Sequence, residues 1–250
     1  MHSLRDHTIV FMPGIDGTGL SFEPLEQVLP KDVHVKVIQY PTDRLLSFEE
    51  TVQCAKDQMQ SNQEDIIVIA ESFSGPVAIA LVGSGRLKAK CLILCSTFAK
   101  SPRPVLLKVL SYLPLELLVR LPFPRFMLKH VVEGGEEATD LFLAMWQRVK
   151  ALVPAKTLVH RLKVISQVDV RGWLPKLTIP CCYIQATSDR AVPASALFDF
   201  TETISDLRVK RIKGPHFILQ AQPQAAVTAI EKFVGLITSQ SSGPEQPPGH

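Results

Sequence analysis

Short, continuous apolar runs set apart by polar turns mark both ends of this chain. The first is Thr8–Met12, closed by Pro13-Gly14, and a second covers 33–38, just before Tyr40-Pro41. Runs at 66–70 and Cys91–Cys95 follow, and two more lie late in the chain, at Cys181–Ala186 and Leu207–Ile212. Apolar residues at consecutive positions suit strands buried on both faces of a parallel sheet. Between the runs the spacing turns helical. A helix is predicted over 48–60, with Ser47 as its cap and Glu49 and Glu50 in its first turn. Others are predicted over 74–82, stopped by Gly83-Ser84-Gly85, over 194–203 and over 223–237. Alternation of strand and helix predicts an α/β chain with a mostly parallel, doubly wound twisted sheet flanked by helices.

The rhythm breaks between about Lys100 and Trp173. Prolines recur at 102, 104, 114, 122, 124 and 154, and leucines such as Leu106, Leu110, Leu113, Leu117 and Leu121 recur at helical spacing. Several short helices are expected, forming a lid inserted after the strand at 91–95. The core then comprises 1–100 and 174–238, and the lid 101–173. The tail, 239–250, is Ser-, Gly-, Pro- and Gln-rich and is expected to be disordered.

Composition narrows the function. A chain of 250 residues suits one domain that buries its core without disulfides or metals. A net charge of +3 gives no basic face for nucleic acid. The five cysteines are odd in number and match no zinc spacing, so buried free thiols in a reducing, cytoplasmic setting are expected. No signal peptide or membrane-spanning run stands out, and no cofactor or metal is implied. The lid begins basic (Arg103, Lys108, Arg120, Arg125, Lys129) and continues acidic (Glu133, Glu136, Glu137, Asp140). That pattern reads as solvated helix faces, with membrane-surface contact as the sharper alternative.

The local chemistry concentrates at Ala70-Glu71-Ser72-Phe73-Ser74-Gly75-Pro76, where a buried strand turns into a helix. A serine at such a corner is raised above the sheet edge in a strained conformation. Residues two before and two after it must be small, because strand and helix nearly touch. Here they are Ala70 and Ser74, where glycine is usual. Ser74 is a weaker nucleophile candidate, since Pro76 would then occupy a position that must be small.

An activated serine needs a base, and the base an orienting carboxylate. Asp189 follows the run ending at Ala186, and His216 follows the run ending at Ile212, inside a Gly214-Pro215 turn. Each lies past a strand's C-terminal end, in the order nucleophile, acid, base. His7, His34 and His130 compete poorly, as do Asp169, Asp199 and Asp206. His160 and Trp146, both in the lid, are candidate substrate contacts.

The Gly-rich run Met12-Pro13-Gly14-Ile15-Asp16-Gly17-Thr18-Gly19 follows the first strand. Its Ile15 amide is the expected partner of the Phe73 amide in an oxyanion hole, and Asp16 is the near alternative and a candidate substrate contact. A phosphate loop is excluded because Leu20 stands where lysine is needed, and a dinucleotide fingerprint because Phe22 stands where glycine is needed.

Taken together, these residues resemble the α/β-hydrolase superfamily from about 8 to 237. The Pro-Gly-Ile-Asp-Gly-Thr-Gly loop and the Glu-Ser-Phe-Ser-Gly elbow resemble, more narrowly, the esterase/lipase/thioesterase group, which includes plastid phytyl ester synthases and small bacterial hydrolases. The elbow of those relatives reads Gly-Glu-Ser-Phe-Gly-Gly, so Ser72 matches their nucleophile and Ala70 and Ser74 replace glycines. Gly214-Pro215-His216-Phe217 is similar to their histidine loop. The resemblance implies the α/β-hydrolase fold and acyl-ester chemistry. The expected substrate is a small ester with a medium-length aliphatic acyl chain, held by lid Leu, Phe and Trp146 side chains. Acyl transfer and thioester cleavage remain alternatives on the same residues, and a catalytically silent binding protein is a third. The plant synthases carry a further acyltransferase domain with no counterpart in these 250 residues, which favours hydrolysis.

Overall fold

Among the described residues, six strands form one sheet in the order β2-β1-β3-β4-β5-β6. They are β1 (Thr8–Met12), β2 (His34–Val37), β3 (Ile66–Glu71), β4 (Cys91–Cys95), β5 (Cys181–Ala186) and β6 (Leu207–Ile212). Every pairing is parallel. This computed structural model describes residues 4–59, 65–106, 114–120, 128 and 135–241. Residues of β3 and β4 are buried throughout, as their unbroken apolar runs require. Val68 and Ala70 belong to one apolar cluster, and Ile67 and Ile69 to the cluster on the other face. Cys181 and Cys182 divide the same way, because successive strand side chains point to opposite faces. The outer strands differ. β2 is only half-buried, and β6 carries Arg208, Lys210 and Arg211, charges that discourage further strand pairing at an open edge.

Helix α1 (Phe48–Gln58) starts at a reciprocal cap: the Glu50 amide donates to Ser47 Oγ at 3.3 Å, and the Ser47 amide to Glu50 Oε2 at 2.7 Å. Helix α2 (Ser74–Gly83) is apolar on all sides and buried from Ser74 to Leu81, which suits a helix packed both on the sheet and on α1.

Between β4 and β5 lie α3 (Leu115–Arg120), α4 (Gly135–Leu152) and α5 (Ala155–Gln167). Short helices were expected throughout this insertion. Instead α4 runs for 18 residues, because no proline interrupts 135–152, and Pro154 then caps α5. The chain leaves and rejoins the sheet layer side by side: the Ser101 amide donates to the Val168 carbonyl at 2.9 Å, and the Val170 amide to the Ala99 carbonyl at 2.8 Å. Val164, Ile165 and Val168 belong to the main apolar cluster, so α5 is packed into the core.

Segment 194–203 is a 3₁₀ turn (Ala194–Leu197) followed by one α turn (Phe198–Thr201), not one regular helix. The last helix, α6 (Pro223–Ser241), runs one turn beyond the expected 237. Residues 242–250 of the expected tail lie outside the described residues, as do Lys108, Arg125, Lys129 and Glu133 of the charged stretch, His130, and Leu110, Leu113 and Leu121 of the leucine series. No described helix is long and apolar enough to cross a membrane.

Candidate active site

The sheet order reverses between β1 and β3. The chain passes from β1 outward to β2, then crosses back to β3 and proceeds the other way. Loops leaving adjacent strands in opposite directions open a crevice at the strands' C-terminal ends, the usual ligand position in such sheets. The loop after β1 and the corner after β3 flank that crevice.

Ser72 occupies the corner with φ of 48°, the left-handed region that a side chain rarely adopts. Several bonds hold it there. Its amide donates to the Cys95 carbonyl at 2.9 Å, and its carbonyl accepts from the Gly75 amide at 3.0 Å and from Thr97 Oγ1 at 2.5 Å. The close approach expected at this corner falls on Gly75, where a Cβ would stand 1.9 Å from Thr97 Oγ1. Ser74, in place of the usual glycine, is fully buried and employed. Its hydroxyl donates to the Pro13 carbonyl and accepts from the Tyr40 hydroxyl (2.8 Å), tying the elbow to the loop after β1.

Three residues far apart in sequence meet here. His216 Nε2 lies 2.9 Å from Ser72 Oγ, and His216 Nδ1 lies 2.7 Å from Asp189 Oδ2. With the ring neutral and its proton on Nδ1, Nδ1 donates to the carboxylate and Nε2 is free to accept the serine proton. The second oxygen of Asp189, Oδ1, accepts from the amides of Ala191 (2.9 Å) and Val192 (2.8 Å), which fixes the carboxylate. Burial disfavours the charged imidazole, but the Asp189 hydrogen bond and charge, with the Glu71 charge, outweigh it and hold His216 above the usual histidine pKa.

The amides of Ile15, Asp16 and Phe73 make no hydrogen bond with any described residue. The loop that carries the first two is fixed from the insertion. Arg161 of α5 is only 5% exposed, and its guanidinium donates to the carbonyls of Ile15 (2.9 Å), Asp16 (2.5 Å), Tyr40 (3.5 Å) and Pro41 (2.9 Å). Gly17 lies against it: a Cβ there would come within 2.4 Å of Arg161 Nη1. Arg161 escaped the sequence reading, although a cation within the apolar stripe Leu158, Leu162, Ile165 is a visible signal. Asp16 uses its carboxylate on its own loop, where Oδ2 accepts from the Thr18 amide (2.9 Å) and hydroxyl (2.5 Å).

A cavity of about 160 Å³ adjoins Ser72 and His216. Phe142, Met145, Trp146 and Val149, spaced on one face of α4, line it from the insertion side, and Ile15, Asp16, Ser21, Glu71 and Gln220 from the core side. Trp146 is among the lining residues; His160 is not, and its Nε2 lies 3.0 Å from the Leu46 carbonyl in the loop after β2. Glu71 and Gln220 were not foreseen. Glu71 is 5% exposed and accepts from Gln220 Nε2 at 3.1 Å; burial is the main cause that pushes its carboxyl up to about 7. Burial also pushes the Cys181 and Cys182 thiols up to about 12, which keeps them unreactive. Among the described residues no group of three or more His, Cys, Asp or Glu gathers as a metal site.

Solved structures of the same architecture include the enol-lactonase of Burkholderia xenovorans, with 18% identity, a TM-score of 0.73, and 92% of this chain and 91% of that one covered. A lipase-esterase related protein of Clostridium acetobutylicum has 13% identity and a TM-score of 0.70 over 91% of this chain and 94% of its own. A bromoperoxidase of Bacillus anthracis has 17% identity and a TM-score of 0.70 over 92% of each. The chain has the α/β-hydrolase fold. In sequence it is similar to phytyl ester synthase 1, chloroplastic, of Arabidopsis thaliana, with 25% identity over 185 residues. That match takes in 63% of this chain and 26% of the plant protein, so the chain corresponds to about a quarter of it. No protein-family model matches the chain.

Proposed function

We propose that this chain is a serine hydrolase that cleaves carboxylic esters through an acyl-enzyme on Ser72. The observation that carries the reading is the unbroken relay from Ser72 Oγ to His216 (2.9 Å) and from His216 to Asp189 (2.7 Å), at a left-handed elbow. His216 takes the Ser72 proton as the oxygen attacks the carbonyl carbon. Asp189 orients the imidazole and stabilises its charged form. The Phe73 and Ile15 amides receive the oxyanion, each contributing roughly 3–4 kcal/mol to the transition state. His216 returns the proton to the departing alcohol, and water then releases the acid by the same steps.

The insertion acts as a cap over the acyl group through Phe142, Met145, Trp146 and Val149. The apolar lining suits the aliphatic acyl chain expected from sequence. The names of the enol-lactonase, the lipase-esterase related protein and the phytyl ester synthase all point to ester-like bonds. Four buried thiols suit a reducing, cytoplasmic setting. Membrane contact finds less support: of the basic residues that suggested it, Arg103 is engaged with the carbonyls of Arg190 (2.9 Å) and Ala191 (3.2 Å).

Ser72→Ala is expected to abolish release of 4-nitrophenol from a short-chain 4-nitrophenyl ester, and labelling by a fluorophosphonate probe. Unchanged turnover in that variant refutes the assignment. A folded wild-type protein that takes no label would instead be a silent binding protein. Transfer to added alcohols, read by product analysis, would mark an acyltransferase, and a preference for thioesters a thioesterase.

A further inference from the structure

The surface facing the cavity beside Ser72 is almost wholly apolar, and three of the residues that line it are aromatic: Phe142 and Trp146 on α4, and Phe217, next to His216 in sequence. The three rings form one connected array. Phe142 and Trp146 stand four residues apart on one helix face, with centroids 6.3 Å apart and planes 6° from parallel. The Phe217 ring lies 5.8 Å from Phe142 and is tilted from it by 36°. Ala138, Leu141 and Ala221 pack around the Phe142–Phe217 contact, which fixes these two rings before any ligand arrives. The array thus reaches from the catalytic histidine loop to the cap. Met145, on the same face of α4, adds a thioether, which makes favourable contacts with rings.

An aliphatic chain in this cavity gains from burial alone. A flat ring gains from burial and also from edge and offset contacts with the array. Those rings have only two side-chain torsions each, so little freedom is lost when a guest settles on them. The guest should carry no charge. No lysine or arginine is among the described lining residues to pair with an acid, and a cation would be stripped of water beside an imidazole that becomes positive during turnover. The polar side chains of the core wall are engaged with the protein itself: Gln220 Nε2 donates to Glu71, and Asp16 Oδ2 accepts from Thr18. Building on the ester-hydrolase reading above, we propose that the acyl group taken by this site carries an uncharged aromatic ring close to its carbonyl, as in an arylacetyl ester, held against Phe142, Trp146 and Phe217.

The test compares methyl phenylacetate with methyl cyclohexylacetate, which match in carbon skeleton and differ in the ring's π-system. Methyl esters keep the leaving group from supplying a ring of its own. Each rate is divided by that ester's rate in hydroxide alone, which removes its intrinsic reactivity. Wild-type kcat/KM is expected to favour the phenyl ester about fivefold or more, since one ring–ring contact contributes roughly 2- to 12-fold. Phe142→Leu and Trp146→Leu should each pull that ratio toward one; both residues are half-buried, and either variant serves if the other fails to fold. Cleavage of both esters with no phenyl preference, or a preference that neither variant moves, overturns this inference and leaves the hydrolase reading standing. If no ester is cleaved and no fluorophosphonate label appears, the hydrolase reading fails and binding alone decides. Methyl phenylacetate should then raise the melting temperature of the wild-type protein more than methyl cyclohexylacetate does. An equal or smaller rise overturns the inference.

Discussion

At the scale of single residues, the relay makes a statement about pH. His216 is held above the ordinary histidine value of about 6.5 by Asp189 and Glu71 in spite of its burial. Only the neutral ring can take the Ser72 proton, so kcat/KM should rise with pH through a midpoint above that ordinary value. Asp189→Asn removes the charge and lets an amide N–H hold the wrong ring tautomer, so the midpoint should fall and kcat should drop by roughly three to four orders of magnitude, as a pH series of initial rates would show. The sign for stability is opposite. Protonated His216 contributes stability that is full below the unfolded pKa and is lost as pH rises through the folded one. That Ser72, Asp189 and His216 would meet was legible in the sequence from their types, their order and their places after strands. Arg161 and Gln220 were not read, because their partners are backbone carbonyls and a buried carboxyl supplied by distant segments. Only packing brings those together.

At the scale of elements, α5 does more than cover the sheet. It delivers a buried guanidinium to four carbonyls in the loops after β1 and β2. Arg161→Met is expected to lower stability by about 2 kcal/mol or more in urea unfolding, since several buried acceptors lose their donor. It should also lower kcat more than it raises KM, because the Ile15 amide is then less well placed. Added guanidinium should restore part of the rate. An unchanged kcat would leave Arg161 with packing alone. Elements with one strong signal were legible: the buried strands by their unbroken apolar runs, α1 by its cap, α2 by its glycine stop. The long α4 was missed because prolines on both sides of it drew the reading toward short pieces, while 135–152 contains none.

At the scale of the molecule, the insertion divides unequally. Its two ends lie side by side through the Ser101–Val168 and Val170–Ala99 bonds, but α5 already belongs to the main apolar cluster. Within the expected lid of 101–173, α5 is thus a segment packed into the core. Replacing 102–153 with a flexible linker should leave a cooperative melting transition, whereas removing 102–167 should abolish it by exposing the core against which Val164 and Ile165 pack. Calorimetry distinguishes the two. Loss of cooperativity in the shorter deletion would mean that α4 is as integral as α5. This boundary could not be read from sequence, since α4 and α5 show similar amphipathic spacing and differ in what they meet.

The twisted backbone at position 72 carries one more implication. Glycine is the residue best suited to that corner, and every other choice is held there against its preference. A lineage needing only a durable scaffold could relax the corner with a single codon change, and would lose the hydroxyl by doing so. Serine at this bend is thus a marker: a glycine there would give a relaxed corner without the hydroxyl that the proposed chemistry needs.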